Sequence, residues 1–393
     1  MVSAAEKRRA RMKVKFGTAF LRKWAEQRVA EALDRPDLCR PTQVCAPLTS
    51  RCNFGCNFCP HPTAEVHHEM DLDQWKGLLL ELQGWLGPFR INFLGGEPML
   101  HPQFFEVLEF CREHEILAGV TTNGSLLTEK NARRLAALEP FNISISLDSI
   151  DPTKHDKNRE FRGSYTKIMK GVDHLNRFRT TNTRLCFRTT VMEWNLDELE
   201  AIADLARDRQ TLVGFQPVEY RDMQETHADA RDWTLPDAYE RFSPNSRFSK
   251  LSLDPARLPE NLRGHWVTSL DRLDQAVAAL VERKANGWPI LNSRFHLESI
   301  QAYFHNPDLI CKIDRDCKTA WEHMIILPNG SVRSCSEQPT YGNVYQQSPR
   351  EIWSSDAANK HRENCRNCQR TCMNMFHWKR SFVEKASMFY DYF

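Results

Sequence analysis

The sequence predicts an α/β fold: a partial (β/α)6 TIM-like barrel followed by a small C-terminal domain that contains a β-hairpin. Three observations carry this. Between residues 43 and 219 short apolar runs alternate with longer amphipathic segments, the rhythm of a βα repeat. That rhythm supplies six units, fewer than the eight that close a barrel. Beyond residue 310 the rhythm is gone, six cysteines return, and Asn329-Gly330 sits between apolar runs as a strong hairpin signal.

Strands are predicted at 43–50, 90–94, 118–122, 141–147, 184–192 and 211–218, with helices between them at 72–85, 102–115, 128–138, 163–178 and 195–208. Thr128 followed by Glu129, and Asn195 followed by Asp197 and Glu198, read as helix starts with acidic first turns. Right-handed crossovers then place every strand's C-terminal end on one face, where the chemistry of such folds gathers. Residues 223–310 are rich in Asp, Arg and Pro and lose the repeat, so they are read as linker and elaboration with one helix near 268–286. The expected organisation is therefore 1–41 as a basic amphipathic N-terminal helix, 42–222 as barrel, 223–310 as linker, 311–375 as the cysteine-rich domain, and 376–393 as an aromatic tail.

Composition narrows the class. A chain of 393 residues holds one large domain and a smaller one. A net charge of +2 with 26% charged residues shows no broad electrostatic footprint for nucleic acid. No run of eighteen apolar residues occurs, and the basic N-terminus lacks the apolar core of a secretion signal. The 13 cysteines group as C-x3-C-x2-C and C-x2-C, which reads as metal ligation, not disulfides. Metal-bound thiolates of low potential need a reducing compartment, so a cytoplasmic location is expected.

The chemistry is concentrated in two motifs. Cys52, Cys56 and Cys59 lie in Thr49-Ser-Arg-Cys-Asn-Phe-Gly-Cys-Asn-Phe-Cys-Pro60. Three thiolates can hold three corners of a cubane [4Fe-4S] cluster, leaving one iron open to chelate a small molecule. Zinc usually takes two paired cysteine motifs, and no second pair is near. Gly95-Gly96-Glu97-Pro98 follows the apolar run Ile91-Asn-Phe-Leu94. With both motifs in this order, the chain resembles the radical S-adenosylmethionine enzymes.

The resemblance implies S-adenosyl-L-methionine as cofactor, cleaved by the open-iron cluster to a 5′-deoxyadenosyl radical. It implies that Gly95, Gly96, Glu97 and Pro98 receive the cofactor's amino group, and that Phe58 packs on its adenine. Thr122 and Asn123, in Thr121-Thr-Asn-Gly124, and Ser146 fall where similar enzymes contact the ribose and methionine portions. Arg159 resembles an arginine that pairs with the methionine carboxylate, a task suited to a bidentate guanidinium. The plainer readings are ordinary strand-end turns for Thr122 and Ser146, and a solvated surface position for Arg159. His67 and His68 read as exposed loop residues.

At the C-terminus the predicted hairpin brings Cys317 and Cys335 together, and Cys365-x2-Cys368 completes four ligands. This resembles the SPASM extension, or its shortened twitch form. Gly342-Asn343 and Glu351-Ile-Trp353 stand where that extension usually shows a Gly-Asn and an Ile-Trp. Six cysteines after residue 300 are too few for two auxiliary clusters, so one auxiliary [4Fe-4S] cluster is expected. Cys311, Cys317, Cys335 and Cys372 form a second possible ligand set, and a four-cysteine zinc site is the competing occupant. Cys39, Cys45, Cys111 and Cys186 fall in strand or helix patterns and read as buried thiols.

The expected function is hydrogen-atom abstraction leading to net oxidation of a small metabolite, by dehydrogenation or bond formation, with flavodoxin or ferredoxin as electron donor. Peptide-modifying relatives often carry a leader-binding module ahead of the barrel, and only about fifty residues precede Cys52, which places a peptide substrate second. An RNA-modifying enzyme and a non-catalytic iron–sulfur electron carrier rank behind both. Phe16, Phe20 and Trp24 beside Lys7, Arg8, Arg9, Arg11, Lys13 and Lys15 form a basic amphipathic helix. It is expected to pack on the body of the protein, with peripheral membrane contact as the second reading. The tail 388–393 is expected to dock.

Overall fold

The computed structural model describes residues 4–59, 68–218, 264–305, 317, 319–336 and 338–367. The expectations for His67, Cys311, Cys368, Cys372 and the tail lie outside the described residues.

Strands β1 (Gln43–Thr49), β2 (Arg90–Gly95), β3 (Leu117–Thr122), β4 (Asn142–Ser146), β5 (Arg184–Val191) and β6 (Leu212–Pro217) alternate with helices. The helices are α2 (Leu72–Leu86), α3 (Phe104–Glu113), α4 (Glu129–Ala137), α5 (Pro152–Arg159), α6 (Ser164–Phe178) and α7 (Leu199–Asp208). The long helix α1 (Ala4–Ala32) precedes them. All six strands pair in parallel with their sequence neighbours, so the sheet curls without closing. Ile91, Phe93, Ile143, Ile145, Leu185 and Phe187 point under the helices and are fully buried. Asn92, Ser144, Ser146 and Arg188 hold the alternate positions on the concave side.

Local signals explain most boundaries. Asp71 and Gln74 form a reciprocal capping box at α2, and Thr128 caps α4 as expected. Helix α5 was not foreseen, although Asp151 caps it and Pro152 occupies its first turn. At Asn195 the structure departs from expectation: residues Glu193–Glu198 form a 3-10 turn ahead of α7. The buried Asn195 amide donates to the carbonyls of Asp148 and Thr190, tying the ends of β4 and β5.

Residues 264–305 fold back on the open edge. Helices α8 (Leu270–Ala285) and α9 (Arg294–His305) pack there, the second of them not foreseen. The Asn292 amide both donates to Phe215 O and accepts from Phe215 N at 2.8 Å, mimicking a further strand beside β6.

The C-terminal region has α10 (Thr319–Glu322), β7 (His323–Ile326), β8 (Ser331–Arg333), β9 (Gly342–Asn343), α11 (Pro349–Trp353) and α12 (Asp356–Arg366). The hairpin β7–β8 forms around Gly330, whose φ of 79° suits glycine. Strand β7 pairs in parallel with β1, so the hairpin extends the barrel's own sheet to nine strands. Met324, Ile326, Val332, Ile352 and Trp353 share one core with Val44, Ala46 and Leu86.

Helix α1 packs on the body of the protein. Phe16 is buried, Arg11 and Lys15 pair with Glu115, and Arg22 and Lys23 donate to the carbonyls of Leu86 and Pro88. Among the described residues no helix is long and apolar enough to cross a membrane.

Candidate active site

The ends of β1 to β5 meet at one mouth. Past β1, Thr49 Oγ1 and Ser50 N donate to Glu69, and Arg51 forms an ion pair with it at 2.8 Å. Thus anchored, the chain enters the loop bearing Cys52, Cys56 and Cys59, where Cys59 N donates to Cys56 O. Two cationic or amide donors face the sulfurs: Arg159 Nη1 lies 3.7 Å from Cys56 Sγ, and Asn123 Nδ2 lies 3.9 Å from Cys52 Sγ. Asn123 also donates to Asn53 Oδ1, and Asn53 donates to Ser125, so the loop is fastened to the end of β3.

Burial pushes the Cys56 thiol up to about 11 and the Cys52 thiol upward, although Arg159 pulls the former down. These thiols are protonated without metal at neutral pH, so a metal that bound them would displace their protons. The donor set fits a cluster: three cysteines on one loop, with N–H groups aimed at two of their sulfurs, an arrangement that stabilises thiolate charge.

The Gly-Gly-Glu segment is joined directly to that loop. Gly96 N donates to Thr49 O and Glu97 N to Arg51 O. A Cβ at Gly96 would come within 2.1 Å of the Arg51 carbonyl oxygen, so only glycine permits this approach. The Glu97 carboxylate is fully buried and accepts from Thr122 Oγ1 at 2.8 Å, Asn123 N at 2.7 Å and Met99 N at 3.2 Å. Burial pushes it up to about 7, against the pull of those hydrogen bonds. In the protein it is a strut between β2 and β3.

Arg159 is buried at the end of α5. Its guanidinium pairs with Asp148 at 2.5 Å and lies 5.3 Å over the Phe58 ring. Asp148 is fixed in turn by Thr190 N and Asn158 Nδ2. The Phe58 ring also meets His265 edge-on at 5.8 Å, and Trp194 Nε1 donates to His265 Nδ1.

The structure thus gathers Cys52, Cys56, Phe58, Glu97, Thr122, Asn123 and Arg159 into one network, with Ser146 on the neighbouring concave wall. Sequence reading missed Glu69, Asn53, Asp148 and Asn158 as fasteners. It also missed His265, which lies in the stretch read as linker. Asn53 stands inside the cysteine motif, Asp148 two residues past Ser146, and Asn158 directly before Arg159.

Of the second cysteine group, Cys317 donates to Thr319 Oγ1 just before α10, Cys335 lies past β8, and Cys365 is buried on α12. Cys39, Cys111 and Cys186 are buried as expected, whereas Cys45 is half-buried on the concave face. His68 is exposed and within 3.1 Å of Tyr345 Oη.

The family model of the radical SAM superfamily matches residues 46–206, and that of the SPASM iron-sulfur cluster-binding domain matches residues 317–373. The chain carries a radical SAM domain and, C-terminal to it, a SPASM iron-sulfur cluster-binding domain. These two domains imply S-adenosylmethionine and [4Fe-4S] clusters as cofactors. The chain is 28% identical over 165 residues to Fe-coproporphyrin III synthase of Methanosarcina barkeri, covering 42% of this chain and 40% of that one. The chain therefore spans about two fifths of that relative's length. It is 23% identical over 327 residues to the PqqA peptide cyclase of Xanthomonas oryzae pv. oryzae, covering 81% of this chain and 75% of the relative. The crystal structure of Streptococcus suis SuiB bound to S-adenosylmethionine shares the fold, with a TM-score of 0.59 at 15% identity over 87% of this chain and 75% of that one.

Proposed function

We propose that this enzyme removes a hydrogen atom from an unactivated C–H bond of a small metabolite and carries the product to net oxidation. The observation that carries the reading is the convergence of four strand ends, each bearing a cofactor motif, on one mouth. When bound, the site cluster supplies the electron that splits S-adenosylmethionine into methionine and a 5′-deoxyadenosyl radical, the hydrogen acceptor. That electron comes from a flavodoxin or ferredoxin. Net oxidation would release one further electron and one proton from the substrate, and an auxiliary cluster held by Cys317, Cys335, Cys365 and Cys368 would supply an acceptor for that electron.

Each residue then has a role. Cys52, Cys56 and Cys59 hold the cluster, with Asn123 and Arg159 donating to its sulfurs. Gly95, Gly96 and Pro98 shape the backbone that receives the cofactor's amino group, and Glu97 fixes that backbone against Thr122. Phe58 offers its ring to the adenine, and Ser146 offers its hydroxyl to the cofactor. Cys317, Cys335, Cys365 and Cys368 hold one auxiliary cluster.

A peptide substrate is the second reading, favoured by the alignment with a peptide cyclase over most of the chain. Anaerobic reconstitution with reductant tests the core of the proposal: 5′-deoxyadenosine must form, and its absence from fully iron-loaded protein sinks it. Product analysis with candidate metabolites and candidate peptides decides between the two substrate classes.

A further inference from the structure

The concave face of a closed βα barrel is a packed apolar core, whereas this open one is polar. Ser144 and Ser146 on β4, Arg188 on β5 and Gln216 on β6 all occupy concave positions, and Arg188 and Gln216 are exposed there. Arg188 lies in register between Ser146 and Gly214, near the mouth.

Its guanidinium is differently placed from that of Arg159. Arg159 is neutralised by the buried Asp148. Arg188 donates through Nε to Ser144 Oγ at 3.4 Å, and among the described residues no carboxylate forms an ion pair with it. Space is kept for it: a Cβ at Gly214 would stand 2.8 Å from Arg188 Nη1. An unneutralised guanidinium on a concave wall draws anions, and its fork fits the paired oxygens of a carboxylate or phosphate.

We propose that Arg188 anchors an oxyanion, a carboxylate or phosphate, of the enzyme's substrate within the barrel. This rests on the reading of the barrel mouth as the reaction site. The cofactor's own carboxylate is the competing source. Its ammonium and carboxylate share one carbon, and the Gly-Gly-Glu segment begins at the end of β2, three strand spacings of about 4.8 Å each from β5. That separation favours the substrate.

Citrate and pyrophosphate serve as oxyanion probes, titrated calorimetrically into cluster-loaded full-length protein with S-adenosylmethionine present. Wild type should bind at least one probe, and R188Q should bind it about tenfold or more weakly, the loss of a charge-assisted pair. R188K should recover part of the affinity. G214A, which keeps the arginine but crowds its guanidinium, should weaken the probe by a smaller factor. Failure of wild type to bind either probe, or equal binding by wild type and R188Q, overturns the proposal. So does a loss of about tenfold in S-adenosylmethionine affinity in R188Q, which would assign the oxyanion to the cofactor. Failure of the wild type to form 5′-deoxyadenosine would strike the functional reading, while the probe titrations would still report on Arg188.

Discussion

The two cysteine groups of this enzyme are held in different ways. At the barrel mouth the loop of Cys52, Cys56 and Cys59 is fastened by Glu69, Asn123, Ser125 and Arg159, residues drawn from well-separated parts of the barrel. At the C-terminus, Cys335 follows a three-residue strand and Cys317 donates to Thr319 Oγ1, two residues along the chain. Trp353 anchors that region as a whole, through Nε1 to Cys39 O and its ring against Trp85. Side chains from the barrel thus fix the first loop in place without any metal, and the C-terminal region is tied to the body through Trp353.

Loss of Cys56 should have the largest effect. Cys56→Ala removes a buried corner ligand, and 5′-deoxyadenosine formation should fall to the cofactor-free blank while circular dichroism retains the barrel. Residual cleavage with full iron loading would mean that another ligand substitutes. Cys335→Ala should lower iron by about half, one four-iron cluster of two, and abolish product while cleavage persists at least weakly. Thermal unfolding checked alongside should show a selective loss at the C-terminal end. If product turnover stays complete with iron halved, the auxiliary centre is structural alone.

A smaller loss is expected from Gly96→Ala. The added methyl drives against the Arg51 backbone, so the motif must shift and S-adenosylmethionine should bind about tenfold more weakly, with iron content near wild type. Unchanged affinity would show that the cofactor does not rely on this close approach.

The mildest test concerns Glu97. A carboxyl whose folded pKa of about 7 lies above its unfolded 4.5 contributes full stability at low pH and loses it as pH rises through 7. Glu97→Gln cannot titrate. In metal-free protein the stability difference, wild type minus variant, should therefore decline between pH 5 and 8 by on the order of 2 kcal/mol. A flat difference, read by denaturant unfolding at each pH, would refute the burial of that carboxyl.

The sequence by itself determined the βα order, the cysteine triplet, the Gly-Gly-Glu turn and the Asn329-Gly330 hairpin. Each is a local pattern, written in alternation, spacing or the φ preference of one glycine. Even the missed helix α5 was announced by Asp151-Pro152. Only the tertiary structure decided that Arg159 pairs with Asp148, that Asn195 ties two strands instead of starting a helix, and that His265 returns to Phe58. It alone set β7 beside β1 and left Arg188 without an acidic partner among the described residues. These outcomes depend on strand register and on which side chains meet across tens or hundreds of residues. Such pairings are fixed by packing the whole sheet at once, and no local run of residues encodes them.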